Sequence, residues 1–250
     1  MATQTQAYPP ELAPRQPGYT GAWVGFGVIV LWLTATAGWL LYAQELPYWV
    51  WPLGVLLQTH LYTGLFITAH DAMHGLVAPN KPLNKAIGRV AAGLFAFNWY
   101  DRLLPRHHNH HDHVASENDP DYHDGKHPGF WRWYLRFAVQ YITLWQILLM
   151  AISFNLLKLI LPTVPLVVFW IAPSILATFQ LFYFGTYLPH KGEHAPDNPH
   201  KARSQRPNHL WAFLSCYFFG YHYEHHHYPW LPWWKLPKAA EYHAGSKKSV

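Results

Sequence analysis

The chain has 250 residues, of which 51% are hydrophobic, 18% aromatic and 12% charged, against about 25% charged in an ordinary soluble domain. That balance argues against a soluble globule and for a membrane protein. The formal charge of +5 suits a face resting on anionic lipid, and with no nucleic-acid-binding motif beside it, nucleic acid is not expected as a partner.

Taken in chain order, residues 1–20 are polar and carry Pro9, Pro10, Pro14 and Pro17, so a disordered tail is expected there. The tail lacks the basic start and small-residue cleavage site of a signal peptide, and the first apolar run is therefore expected to stay as an anchor. Residues 21–243 read as a single membrane domain. Apolar runs at about 22–43, 48–69, 137–161 and 164–189 each approach the roughly 20 residues needed to cross a bilayer, which predicts four transmembrane helices in an all-α fold. The run at 90–100 is too short to cross and reads as re-entrant or interfacial. Residues 244–250 read as a solvated tail. Cys216 is the single cysteine, so an internal disulfide is not possible, and a buried structural thiol is expected.

Between the apolar runs lie two polar blocks, 70–136 and 190–243. Lys and Arg crowd these blocks and the C-terminal tail, while the connections at 44–47 and 162–163 hold none. The positive-inside rule then places both blocks and both termini in the cytoplasm. Every histidine except His60 also lies in these blocks. Three stretches, HDAMH, HHNHH and HYEHH, hold His70 and His74; His107, His110 and His111; and His222, His225 and His226. Residues three and four apart on a helix point the same way, so each stretch presents a cluster of imidazoles to one side.

Imidazole suits iron, zinc, copper or nickel, and a set without thiolates points away from structural zinc. Eight ligands exceed one metal's needs, and two metals sharing them is the economical reading. Because each block follows a pair of spans, the metal site should cap the helical bundle at the membrane surface. Spacing also favours His190 with His194, which repeats the four-residue step of His70 and His74. His60 lies within the second span and is read as a neutral histidine bonded to a neighbouring helix.

Asp71, Asp119, Asp121 and Glu224 are candidates to accept the second N–H of a ligating imidazole, although caps and turns account for each of them as well. Arg203 either pairs with such a carboxylate or faces lipid headgroups. Aromatic side chains of Trp99, Tyr100, Trp131, Trp133, Phe179, Phe182, Tyr183, Phe184, Tyr217, Phe218 and Phe219 are available to line the path of a long hydrocarbon, though most should be core or interface belt. With no dinucleotide fingerprint, electrons must come from outside the chain. A non-catalytic His-rich metal transporter should place ligands near the midplane of its spans, where only His60 lies.

The segments HDAMHG, RHHNHHDH, DPDY, FYFGTYLPH, NPHKARS and FGYHYEHHHYPWLPWWKLP, spread over about residues 55–237, resemble the bacterial and cyanobacterial β-carotene ketolases, membrane relatives of the fatty acid desaturases. The resemblance implies a non-haem diiron monooxygenase that converts C4 methylenes of β-ionone rings to ketones, taking β-carotene to echinenone and then canthaxanthin. It implies two ferrous ions, O2, a carotenoid entering from the bilayer, and an external donor such as a ferredoxin docking on the cytoplasmic face. The family's boxes place His70, His74, His107, His110, His111, His222, His225 and His226 on iron. Its LPH and NPHxARS segments add His190 and His200, where spacing had favoured His194. His113 also matches a family histidine, although VASEN follows it where a small, Gly-containing turn is expected. Acyl-lipid desaturases and carotenoid ring hydroxylases carry similar generic boxes and are the alternative activities.

Overall fold

The computed structural model describes residues 8–246, whose regular structure is all helical, with no strand among them. Ten helices organise them: α1 (Thr20–Tyr42), α2 (Trp51–Met73), α3 (Lys81–Leu94), α4 (Tyr100–Asp112), α5 (Phe130–Tyr141), α6 (Leu144–Leu157), α7 (Thr163–His190), α8 (His209–Cys216), α9 (His222–His227) and α10 (Leu236–Ser246).

Three of these helices, α1, α2 and α7, are long and apolar enough to cross a membrane. On α1 apolar residues point in every direction, and Trp23, Phe26, Leu31 and Leu41 stay exposed, as expected of a helix whose outer face meets hydrocarbon. The most enclosed of the three is α2, which packs against α1, α3 and α7 and contributes Tyr62, Leu65 and Ile67 to the core. Its buried Thr59, Thr63 and Thr68 donate to carbonyls one turn back, at 2.7, 3.1 and 2.9 Å, so these hydroxyls are satisfied inside the helix. Gly88 on α3 lets α3 press onto α2: a Cβ there would lie 2.7 Å from the Ala72 Cβ and 2.5 Å from the Tyr100 ring.

The expected span at 137–161 is instead two helices, α5 and α6, which meet at 81°. The break has a local cause. Ile142 is extended, and Thr143 starts a new helix with a capping box: its hydroxyl accepts from the Gln146 backbone at 3.1 Å while the Gln146 side chain accepts from the Thr143 N–H at 2.8 Å. The count is therefore three spans, or four if the bent pair is one. At 90–100 the chain reverses between α3 and α4 through Ala96 and Phe97, both with positive φ.

The expected tail at 1–20 also differs in its described part. Leu12 is buried, its carbonyl accepts from Trp230 Nε1 at 2.8 Å, and Tyr8 packs edge-on against Tyr228 and Trp230. The aromatic surface at 228–236 gives this proline-rich segment something to cover. Residues 1–7 and 247–250 lie outside the described residues. Cys216 is fully buried, as expected. His60 makes no hydrogen bond among the described residues and instead stacks on the Tyr217 ring at 4.3 Å.

Two π turns interrupt α7, at Val167–Ile171 and Tyr183–Tyr187. Each inserts one extra residue into the helix, which rotates everything beyond it by about 100°. The second lies just ahead of His190 and sets the face on which that imidazole emerges.

Candidate metal centre

Four helices converge where the apolar bundle ends. The last turn of α2 supplies His70 and His74, four residues apart on one face. From α4 come His107, His110 and His111, from α9 His222, His225 and His226, and from the end of α7 His190. The nine imidazoles form two groups. The first holds His70, His74, His107, His111 and His225, the second His110, His190, His222 and His226, and within each group the coordinating nitrogens lie within 4.8 Å of one another. Helix geometry explains the sorting: His107 and His111, four apart, face the first group while His110 turns to the second. On α9, His222 and His226 face the second while His225 turns to the first.

Nitrogen faces nitrogen at short range. His74 Nε2 lies 2.6 Å from His107 Nε2, His111 Nε2 3.0 Å from His225 Nε2, and His222 Nε2 2.9 Å from His190 Nε2 and 3.0 Å from His226 Nε2. His70 Nε2 is buried without a hydrogen-bond partner among the described residues. An unpaired buried nitrogen in a converging, all-imidazole donor set fits a transition metal such as iron and gives little reason to expect structural zinc.

Electrostatics agree with that fit. Burial first, and then neighbouring imidazoles, hold His107, His222, His225 and His226 well below the ordinary histidine range and bring His111 down to about 2. These rings are neutral, which is the ligating form. Burial acts on His110 in the same direction, but the carboxylates of Asp121 and Asp119 outweigh it and raise its value.

Asp119 is the clearest supporting carboxylate. It faces His110 Nδ1 at 2.9 Å and also accepts from the backbone of Ala115 and Asp121, each at 2.8 Å, so it closes the turn at Pro120 and fixes the ring at once. His190 is fixed similarly, with Nδ1 2.8 Å from the Lys201 carbonyl. Asp71 accepts from the Trp233 backbone at 3.1 Å, tying α2 to the C-terminal segment, and lies 3.4 Å from His70 Nδ1. Glu224 reaches none of the nine imidazoles: it accepts from Ser204 and pairs with His243 at 3.2 Å. Among the described residues Arg203 pairs with no carboxylate and donates to the Lys191 and Glu193 carbonyls at 2.8 and 2.7 Å, capping the chain as it leaves α7.

Three other histidines named from the sequence stand outside both groups. His200 Nε2 is 3.1 Å from His227 Nδ1, with its ring 6.0 Å from that of His226. His194 Nε2 approaches the His190 carbonyl at 3.3 Å. His113 is exposed and bonded to the Asn109 carbonyl at 3.2 Å.

A cavity adjoins the imidazoles, with His70, His107, His110, His222 and His225 in its wall. Phe66, Phe95, Leu103, Phe137, Leu181 and Phe219 make most of it apolar, while Asn98, Asp121, Tyr141, Thr178 and Thr186 supply its few polar groups. Of the aromatic residues expected along a hydrocarbon path, only Phe219 lines this cavity. The part played by Tyr141 was not foreseen, because nothing in its sequence spacing marks it. Burial pushes Asp121 up to about 6, against the pull of His110.

Comparison with known proteins bears on most of the chain. The fatty acid desaturase family model matches residues 46–143 and 136–247. A β-carotene ketolase from a Paracoccus strain is 42% identical over 225 residues, covering 88% of both chains. Another, from Paracoccus strain PC1, is 41% identical over 243 residues, covering 91% of this chain and 97% of the relative. A zeaxanthin 4-ketolase from Chlamydomonas reinhardtii is 43% identical over 192 residues, 74% of this chain, but this chain spans only 43% of that longer protein.

Proposed function

We propose, on the premise that this chain belongs to the fatty acid desaturase family and within it groups with the β-carotene ketolases, that it is an O2-dependent diiron oxygenase converting the C4 methylenes of β-ionone rings to ketones. The observation that carries this reading is the apposition of two neighbouring imidazole groups to one apolar cavity. The nine imidazoles would hold two iron ions. Bound there, iron with O2 would supply an oxidant able to attack an unactivated or allylic C–H bond, which no side chain can do alone. The protein's own residues do the rest. Asp119 and the Lys201 carbonyl orient His110 and His190, and the apolar wall of Phe66, Phe95, Phe137 and Phe219 excludes water and holds a hydrocarbon ring against the imidazoles.

The same reading includes a four-span topology, with the bent α5–α6 pair as the third crossing and both polar blocks and both termini in the cytoplasm, supported by the concentration of Lys and Arg there. The carotenoid enters from the bilayer, and a ferredoxin or similar protein delivers electrons at the basic face. The test is expression in a β-carotene-producing bacterium followed by pigment chromatography. Echinenone followed by canthaxanthin is the expected result. Cryptoxanthin and zeaxanthin would mean a ring hydroxylase, and unchanged β-carotene with altered acyl chains a desaturase.

A further inference from the structure

Asp121 differs from every other carboxylate around the metal centre. Its backbone N–H donates to Asp119 Oδ1, the same oxygen that faces His110 Nδ1, so it stands one hydrogen-bond step behind the second imidazole group. Its own Oδ1 accepts from the Tyr141 hydroxyl, while Oδ2 has no hydrogen bond among the described residues. Arg106, a neighbouring cation, gives Asp121 no hydrogen bond among the described residues: its guanidinium donates to the backbone and side-chain oxygens of Gln140 at 2.5 and 3.2 Å and lies 5.6 Å from the centre of the Tyr141 ring. Asp121 and Tyr141 share the wall of the apolar cavity with His110 and His222. A carboxylate oxygen left open in such a cavity costs free energy unless something inside donates to it. An unsubstituted β-ionone ring has no donor to offer. The C4 alcohol made from it by one oxygenation does.

We propose that the free oxygen of Asp121, with its partner oxygen held by Tyr141, accepts a hydrogen bond from the C4 hydroxyl of this alcohol and retains it for a second oxygenation at the same carbon. The inference rests on the ketolase reading. In each round one C4–H bond becomes C4–OH: one oxygen atom of O2 enters the carbon, and the other leaves as water with two protons and two electrons from the external electron-transfer protein. The second round gives a geminal diol, which loses water to become the ketone. Release after the first round would leave an alcohol as the final product, so retention separates a ketone-forming enzyme from one that stops at hydroxylation.

The test compares wild type with Asp121→Leu, Asp121→Asn and Tyr141→Phe in β-carotene-producing cells, reading the ratio of 4-hydroxy to 4-keto carotenoids. Asp121→Leu should weaken the second oxidation about tenfold more than the first, the size expected for one hydrogen bond to a charged acceptor, so 4-hydroxy carotenoids accumulate. Asp121→Asn, which keeps an acceptor, should partly restore the ratio, and Tyr141→Phe should fall between. An unchanged ratio, with both oxidations lost equally, overturns the proposal and leaves Asp121 to the metal site or the fold. Should the variants not reach the membrane, wild type offered equal β-carotene and 4-hydroxy-β-carotene must consume the alcohol about tenfold faster, and no preference overturns it as well. Ketone with an unchanged ratio defeats this proposal alone, whereas wild type making no ketone defeats the ketolase reading with it.

Discussion

His111 on α4 and His226 on α9 belong to different imidazole groups, yet their ring centroids lie 4.3 Å apart. The two groups therefore share a wall, and a change in one is felt by the other. Each ring is also neutral, because burial and neighbouring imidazoles both oppose its protonation.

The first prediction is stoichiometric. Protein purified anaerobically should hold two iron ions per chain, one for each imidazole group. His111→Ala should lower the content of both, since the wall it shares with His226 would be opened. One zinc and no iron in the wild type would sink the diiron reading.

Alanine at His110, His111, His225 or His226 should abolish product while membrane insertion persists, because insertion depends on the apolar helices and not on this cap. His108 and His227 lie off the pattern: His108 approaches the Met73 carbonyl and His227 faces His200. Their replacement should be milder. His200 is the discriminating position: its Nε2 faces His227 and none of the nine grouped imidazoles, so its replacement should be as mild as that of His227. A complete loss at His200, equal to that at His226, would place it on iron. Product chromatography and a membrane fractionation read both outcomes.

Asp119→Asn should lower metal affinity by about 10- to 100-fold, the usual cost of losing a carboxylate behind a ligating histidine. The carboxylate faces His110 Nδ1 and also closes a turn, so asparagine keeps the shape while removing the charge. Titration with a chelator measures the change. An unaltered midpoint would show that His110 needs no such partner.

Gly88→Val should destabilise the α2–α3 hairpin by about 1–3 kcal/mol through overpacking against Ala72 and Tyr100. Thermal melting in detergent should show a lower midpoint than wild type. A Gly93→Val control, where a Cβ meets nothing within 4 Å, should melt close to it.

Reporter fusions after residue 250 and near Pro162 should report opposite sides of the membrane, because the bent α5–α6 pair is read as one crossing and α7 as the next. Reporters on the same side would mean that α7 does not cross, whereas a further reporter near Gly125 on the same side as Pro162 would reduce the crossings to three and turn α5–α6 into a surface element.

Much of the site was legible from residue spacing. Helical periodicity alone groups His70 with His74, His107 with His110 and His111, and His222 with His225 and His226, because local backbone geometry fixes which side chains share a face. The all-helical, apolar character follows likewise from composition and run length. Spacing does not reveal how the boxes interleave. Each of HHNHH and HYEHH splits between two groups only once α4 and α9 are set beside α2 and the end of α7. The break at Ile142 depends on a reciprocal cap between Thr143 and Gln146, and the direction of His190 on a π turn that shifts the helical phase. The choice among His190, His194 and His200 as neighbours of the cluster, and the pairing of Asp121 with Tyr141 on the cavity wall, join residues far apart in the chain. Those contacts exist only through tertiary packing, where backbone phase and helix approach decide which atoms meet, and no local pattern encodes either.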